Sequence, residues 1–158
     1  MKNYRLLAFL LLMGLSFVSC SKKTVWNVFY GYTAQDIMGA YSPSDVVDAF
    51  DGLTESDYCH ICRDAQITIS NTSGKIRLEF KSVSAGMEKT LTGNPTLNED
   101  DFLLQLGNIA GYGVPELIAT VYTNAAHEVR LHGYLRKLKS HSPEGPVYTN
   151  YYFDVVKN

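Results

Sequence analysis

The stretch AQITISNTSGKIRLEF, residues 65–80, constrains the fold more tightly than any other part of the chain. Ile67 and Ile69 alternate with polar residues, and after a short break Ile76, Leu78 and Phe80 do the same. A period of two places the apolar side chains on one face of an extended strand. Between the two runs, NTSG supplies turn chemistry, and Gly74 can take the positive φ of a tight turn. The pattern predicts an antiparallel hairpin.

Further strands are expected at 88–92, 101–106, 116–123, 127–138 and 147–156, separated by GNP, NED, GYG and SPEGP. In EVRLHGYL the alternation through Val129 and Leu131 meets Gly133, and an isolated strand glycine predicts a bulge or a sharp bend. VYTNYYFDVV puts Val147, Thr149, Tyr151, Phe153 and Val155 on one face, and Tyr148, Asn150, Tyr152 and Asp154 on a wetter one. SPSDVVDAFD, 42–51, has the signature of one short helix. Ser42 can cap it, Pro43 suits its first position, Asp45 completes a capping-box spacing, Val46, Val47 and Phe50 would face inward, and Gly52 can end it. The fold class expected is therefore mainly β: an antiparallel β-barrel or sandwich with one short N-terminal helix.

The chain opens MKNYRLLAFLLLMGLSFVSCSKK. Lys2 and Arg5 form a short basic region, Leu6 to Phe17 an apolar run too short to span a bilayer, and the small Ser19 precedes Cys20. This resembles a bacterial lipoprotein signal peptide, with Phe17 where such peptides usually have leucine. The resemblance implies cleavage before Cys20 and lipidation of its thiol. The division expected is 1–19 signal peptide, 20–35 lipidated tether whose WNVFYGY turns into a first strand, and 36–158 a single β domain. SKKTVW after the cysteine contains no carboxylate, whereas an acidic patch there often marks surface display. The expected location is the cell envelope, lipid-anchored at the outer membrane and facing the periplasm.

Composition narrows the function. The chain is 46% hydrophobic and 19% charged, which is globular rather than disordered. Its formal charge of −2 argues against a phosphate-backbone partner, and removing residues 1–19 would take away two cations and no acid. KKTVW and RKLKS are the basic clusters. The first could touch lipid headgroups; the second reads as a solvated strand end.

The lipoprotein opening, GAYS at Gly39–Ser42 and the hairpin ITISNTSGKIRLEF together resemble the calycin-like β-barrel lipoproteins of the Bacteroidetes. In that group a G-x-Y opening precedes the first barrel strand and a hairpin follows soon after. Two features depart from the pattern: Thr24 stands where a lipocalin glycine would precede Trp26, and SPSDVVDAF falls where a strand would be expected. The resemblance implies a non-enzymatic binding or structural protein.

DYCHICRD carries Cys59 and Cys62 around His60. Haem attachment needs a histidine after the second cysteine, and Arg63 stands there. A thioredoxin-type centre needs its first cysteine at a helix N-terminus, but RDAQITIS leads into a strand. Zinc needs four ligands; His127 and His132 are the other candidates, and their odd separation puts them on opposite faces of a regular strand. A local disulfide between Cys59 and Cys62, closing a tight turn, is the favoured reading, with thiol exchange and metal binding kept as alternatives. Trp26, Tyr148 and Tyr152 are candidate ligand contacts, since aromatic rings stack on sugars or line apolar cavities, although tyrosine is also favoured in strands. G-x-S-x-G, H-E-x-x-H and a phosphate-cradling glycine loop are all missing, and Asp100 and Asp101 sit in a polar turn.

The function expected is a non-enzymatic membrane-anchored module, without cofactor, for a small apolar or glycan ligand or a partner protein. The alternative is a periplasmic thiol/disulfide or metal-binding protein acting through Cys59 and Cys62. A cavity lined by Trp26 and tyrosines would mark a ligand carrier; a core filled by Leu, Ile and Phe would mark a structural module.

Overall fold

The computed structural model describes residues 23–46, 48–94, 96–97, 103–109 and 111–158. Cys20, Val47, Asp100 and Asp101 lie outside them. The expected hairpin is present as β4 (Gln66–Thr72) and β5 (Lys75–Ser82). Thr72 faces Lys75 across a two-residue turn in which Ser73 and Gly74 both have positive φ, 53° and 80°. That backbone twist matches the twist of the flanking strands. Asn71 Oδ1 accepts the Gly74 N–H at 3.0 Å, tying the turn to its strand.

Among the described residues, nine further strands and one helix complete the fold. They are β1 (Asn27–Val28), α1 (Ala34–Ile37), β2 (Gly39–Pro43), β3 (Cys59–Ile61), β6 (Met87–Gly93), β7 (Thr96–Leu97), β8 (Leu103–Leu106), β9 (Leu117–Thr123), β10 (Val129–Ser142) and β11 (Gly145–Lys157). The sheet runs β6-β5-β4-β2-β11-β10-β9-β8-β7, with β1 beside β9 and β3 beside β11. All neighbours are antiparallel except β3, which runs parallel to β11.

The alternation read from the sequence delivers one continuous core. Ile67, Ile69, Ile76, Leu78 and Phe80 meet Leu117, Val121, Leu131, Leu135, Phe153 and Val155, all essentially inaccessible to water. Each such side chain contributes ~1.5–3 kcal/mol by leaving water. Phe80 and Phe153 pack with ring centroids 5.6 Å apart. Tyr32 and Tyr41 join the core, and the Tyr41 hydroxyl donates to the Ile37 carbonyl at 2.7 Å. The interior is thus filled by aliphatic and aromatic side chains. The sheet does not close: β6 lies near β8 and reaches the residue before β9 through a side chain, with Lys89 Nζ 2.7 Å from Glu116 Oε2. Among the described residues no strand pairing joins those ends. The architecture is an open, curled antiparallel sheet.

Two expectations are corrected. The helix lies at Ala34–Ile37, not at 42–51. Thr33 caps it, with Asp36 Oδ2 accepting from the Thr33 backbone N–H at 2.6 Å and from its hydroxyl at 2.7 Å. Ser42 and Pro43 instead end β2 opposite Val156 and Val155. Ser44 Oγ accepts the Val46 N–H at 3.2 Å, a local bond that competes with helix, and single turns follow through Leu53.

Gly133, expected at a bulge or bend, sits in regular register between Ala119 and Phe153, and the irregularity falls at Leu138/Ser140. The glycine is needed for close approach. A Cβ there would stand 2.1 Å from the Ile118 carbonyl oxygen and 2.6 Å from Ala119 Cα, both rigid backbone. Gly133→Ala should therefore destabilise the protein by at least the ~1–3 kcal/mol typical of overpacking. Urea unfolding checks this, and an unchanged midpoint would show that β9 and β10 have slack to separate.

Candidate functional site

β10 is flanked by β9 and β11, and its even-numbered residues face away from the core. Opposite pairs along β10 and β11 are Arg130–Val156, His132–Asp154, Tyr134–Tyr152, Arg136–Asn150 and Leu138–Tyr148. Each step of two residues advances ~7 Å. The outer face is therefore a two-column ladder of charged and aromatic side chains.

At one end lies a buried ion cluster. The Asp154 side chain is 1% exposed, and Arg130 Nε donates to its two carboxylate oxygens at 2.9 and 3.0 Å, with Nη2 bonded to Oδ2 as well. His132 Nδ1 lies 2.8 Å from Oδ2. An ionised carboxylate only accepts, so Nδ1 carries the proton of this bond. Burial pushes the Asp154 carboxyl up, but the bonds from His132 and Arg130, the Arg130 charge and the Ser44 hydroxyl together outweigh it, and the net shift is downward. Trp26 and Tyr122 cover the guanidinium, which lies 5.8 and 5.3 Å from their ring centroids. Phe50 lies over His132 at 6.5 Å between centroids. The face read as wetter is thus sealed at this end by Ser44, Phe50 and Trp26.

Beyond the cluster the ladder opens. Ile118, Thr120, His132, Tyr134 and Tyr152 line a groove of about 210 Å³, floored by the Gly133 backbone. Drug-sized ligand pockets measure ~300–1,000 Å³, so this groove suits a single ring or a short segment of a longer molecule. Tyr134 and Tyr152 pack at 5.2 Å between centroids. The next rung holds Arg136, whose guanidinium lies 5.3 Å from the Tyr134 ring and 5.1 Å from Tyr148, with Nη2 donating to the Tyr134 hydroxyl at 2.9 Å. Of the aromatic candidates chosen from sequence, Tyr148 and Tyr152 share this ladder, whereas Trp26 stands at the sealed end over Arg130. Sequence reasoning weighs His132 only as a zinc ligand and Asp154 only as part of the wetter face, and it singles out neither Arg130 nor Arg136. Their shared parity was legible in the two strands, but the register that brings them together was not.

The CHIC stretch does not form the expected staple. Cys59 and Cys62 are free thiols. The tight turn comes before Cys59, where it exchanges backbone bonds with Ser56 at 2.9 and 3.2 Å, and not between the cysteines. From Cys59 the chain runs extended beside β11, up to the Cys62 N–H bond to Tyr152 O at 2.8 Å. Three extended residues span ~10 Å, beyond the ~7 Å that a disulfide bridges. Burial pushes the Cys62 thiol up to about 11, and burial together with the Glu55 charge raises Cys59. Both shifts oppose thiolate formation, which redox exchange requires. His60 stacks on Tyr151 at 5.0 Å, His127 occupies the β9–β10 turn, and no cluster of three metal-ligating side chains occurs among the described residues.

The Asp154 pairing carries a pH signature. Because its carboxyl is depressed, the stability it contributes is complete above the unfolded value of ~3.9 and is lost as pH falls through the folded one. Asp154→Asn should cost ~3–5 kcal/mol at pH 7 by leaving Arg130 buried and unpaired. Thermal melts of both proteins from pH 7 to pH 3 should show the gap shrinking below about pH 4, as the native Asp154 also neutralises. A gap constant with pH would mean that the carboxylate's charge is not what stabilises the cluster.

Comparison with family models, with curated proteins and with solved structures returns no match, so the functional reading rests on this geometry.

Proposed function

We propose that the protein is a non-enzymatic envelope module that binds glycan on the outer face of β10 and β11 while lipid on Cys20 holds it at the membrane. The observation that carries this is the uncovered part of the ladder: Tyr134, Tyr152 and Tyr148 on one face, interleaved with Arg136 and Asn150 and continuous with the groove at His132. Aromatic faces offer apolar area to sugar rings, while polar neighbours between them can pair with hydroxyls. An apolar ligand would need an enclosed apolar pocket, and the core is filled by its own side chains. If the chain is of the calycin-like kind, it uses a surface and not an interior.

Catalysis is not part of the reading. Asp154 holds His132 as a carboxylate orients a catalytic imidazole, but the same carboxylate is occupied by Arg130, and the hydroxyls at the groove are those of Thr120 and the tyrosines. The cluster serves to fix the groove's end wall.

Two experiments test the proposal. In affinity electrophoresis against a panel of neutral and acidic soluble polysaccharides, the full-length protein should be retarded by at least one. Tyr152→Ala should weaken that binding about tenfold, which corresponds to ~1.4 kcal/mol. Mobility unaffected by every polysaccharide would remove the glycan reading. Separately, cells fed radiolabelled palmitate should label the protein, and Cys20→Ala should abolish the label; a labelled Cys20→Ala protein would place the anchor elsewhere.

A further inference from the structure

Arg136 differs from the other arginines of the described fold in having neither a carboxylate partner nor freedom to leave the surface. Arg77 is paired with Glu79 at 2.6 Å and Arg130 with Asp154, while Arg63 lies over the Phe50 ring. The Arg136 guanidinium lies against both Tyr134 and Tyr148, 5.3 and 5.1 Å from their ring centroids, and donates to the Tyr134 hydroxyl. Its Nε is buried and unpartnered, and the Oδ1 of Asn150, directly opposite on β11, is buried and unpartnered too. A guanidinium held in place by two rings has lost much of its rotamer freedom before any ligand arrives, so binding through its fork of donors costs less further ordering.

Among the described residues no carboxylate stands within ion-pair distance of Arg136: Asp154 is paired with Arg130, Glu116 with Lys89 and Asp57 with Lys139. A planar fork of N–H donors matches a carboxylate geometrically, and charge-assisted bonds of this type are about twice as strong as neutral ones. Arg136 Nε and Asn150 Oδ1 are shielded from water, so a ligand meets this cation through its Nη groups and the rings beside it. A carboxylate carried next to a ring that can stack on the Tyr134–Tyr152 pair is the pattern of a sugar acid.

We infer that Arg136 is the anion-reading residue of this face and that the ligand is a carboxylate-bearing glycan of the uronic-acid type. The inference rests on the glycan reading above and adds the ligand's charge and the residue that senses it. Phosphate- or sulfate-bearing molecules share the anionic chemistry but bring more acceptor oxygens than the Nη groups of one guanidinium can match.

The test compares de-esterified polygalacturonate with its fully methyl-esterified form, the same backbone with its carboxylates masked. The full-length protein should bind the acid at least tenfold more tightly than the ester, and raising the salt concentration should shrink that preference. Arg136→Gln should erase the preference, Arg136→Lys should keep part of it because the charge remains without the fork, and Tyr152→Ala should weaken both forms alike. Urea unfolding of each variant shows whether the fold is kept. In parallel, the Arg136 Nε–H resonance is followed during titration with glucuronate, with methyl glucuronate and with acetate.

A shift with glucuronate and none with its methyl ester supports the inference. Equal binding of acid and ester by the wild-type protein, or a preference that survives Arg136→Gln, overturns it and leaves the glycan reading in place. If neither polymer binds but acetate shifts Nε–H, the carboxylate site stands and the glycan reading falls. If neither glucuronate nor acetate shifts it, the inference is overturned whatever the polymers do.

Discussion

The pairing of β10 with β11, from Arg130–Val156 at one end to Ser142–Gly145 at the other, is the constraint on which the rest of the structure hangs. β9 attaches to β10, and both β2 and β3 attach to β11. Among the described residues, the hairpin β4–β5 is hydrogen-bonded into the rest of the sheet through β2 alone. A slip in this one ladder would displace the core contributions of Leu131, Leu135, Phe153 and Val155 together, and would also take apart every rung of the outer face.

The apolar face alone does not fix that register firmly. A slip of two residues preserves parity, so aliphatic side chains would still face inward opposite other apolar ones. The buried cluster discriminates against one direction of slip. A slip that sets Asp154 opposite Tyr134 would part it from Arg130 and leave buried charge without a partner, an error of several kcal/mol, whereas the opposite slip sets it facing Arg130. An ion pair of this kind adds little net stability compared with an apolar replacement, because desolvation offsets most of the attraction. Its value lies in penalising the wrong pairing. This explains why so costly an arrangement stands beside an otherwise ordinary core, on the face that sequence alternation marks as polar.

How much was legible follows from the same distinction between parity and register. Alternation located β4, β5, β6, β9, β10 and β11 with boundaries off by only a few residues, because each carries its pattern within itself. β3 escaped notice: three residues long, it is defined by partners near Tyr151, some ninety positions away. The helix was misplaced because Ser-Pro-Ser-Asp satisfies a capping pattern locally, while Ser42 and Pro43 are claimed by Val156 and Val155 of β11. Gly133 was recognised as a special position, but for the wrong reason. Bulge and close approach leave the same mark in a sequence, and only the distance to the Ile118 carbonyl separates them. Of the site, Tyr148 and Tyr152 could be chosen by type and parity, whereas Arg136 could not. Nothing in RKLKS says that one cation lies between two rings while Lys137 and Lys139 do not.

Two faces of one sheet thus divide the work, and the division decides where a ligand can go. Gly133 brings β9 and β10 close together over a core of aliphatic and aromatic side chains. The same closeness brings Ile118 and Thr120 up beside His132 and Tyr134, making a groove on the outer face. The covering segment then sets the groove's limit, since Ser44, Phe50 and Trp26 seal the ladder over the ion cluster and leave it open from Tyr134 onward. On the glycan reading proposed above, a ligand lying along the strands would meet the Tyr134–Tyr152 pair first and Arg136 next. Order along the ladder, fixed by strand spacing, would then become order along the ligand: a ring to stack, and an anionic group one rung further on. An extended polymer presents such a sequence repeatedly, whereas a compact molecule would satisfy one rung and leave the next in water.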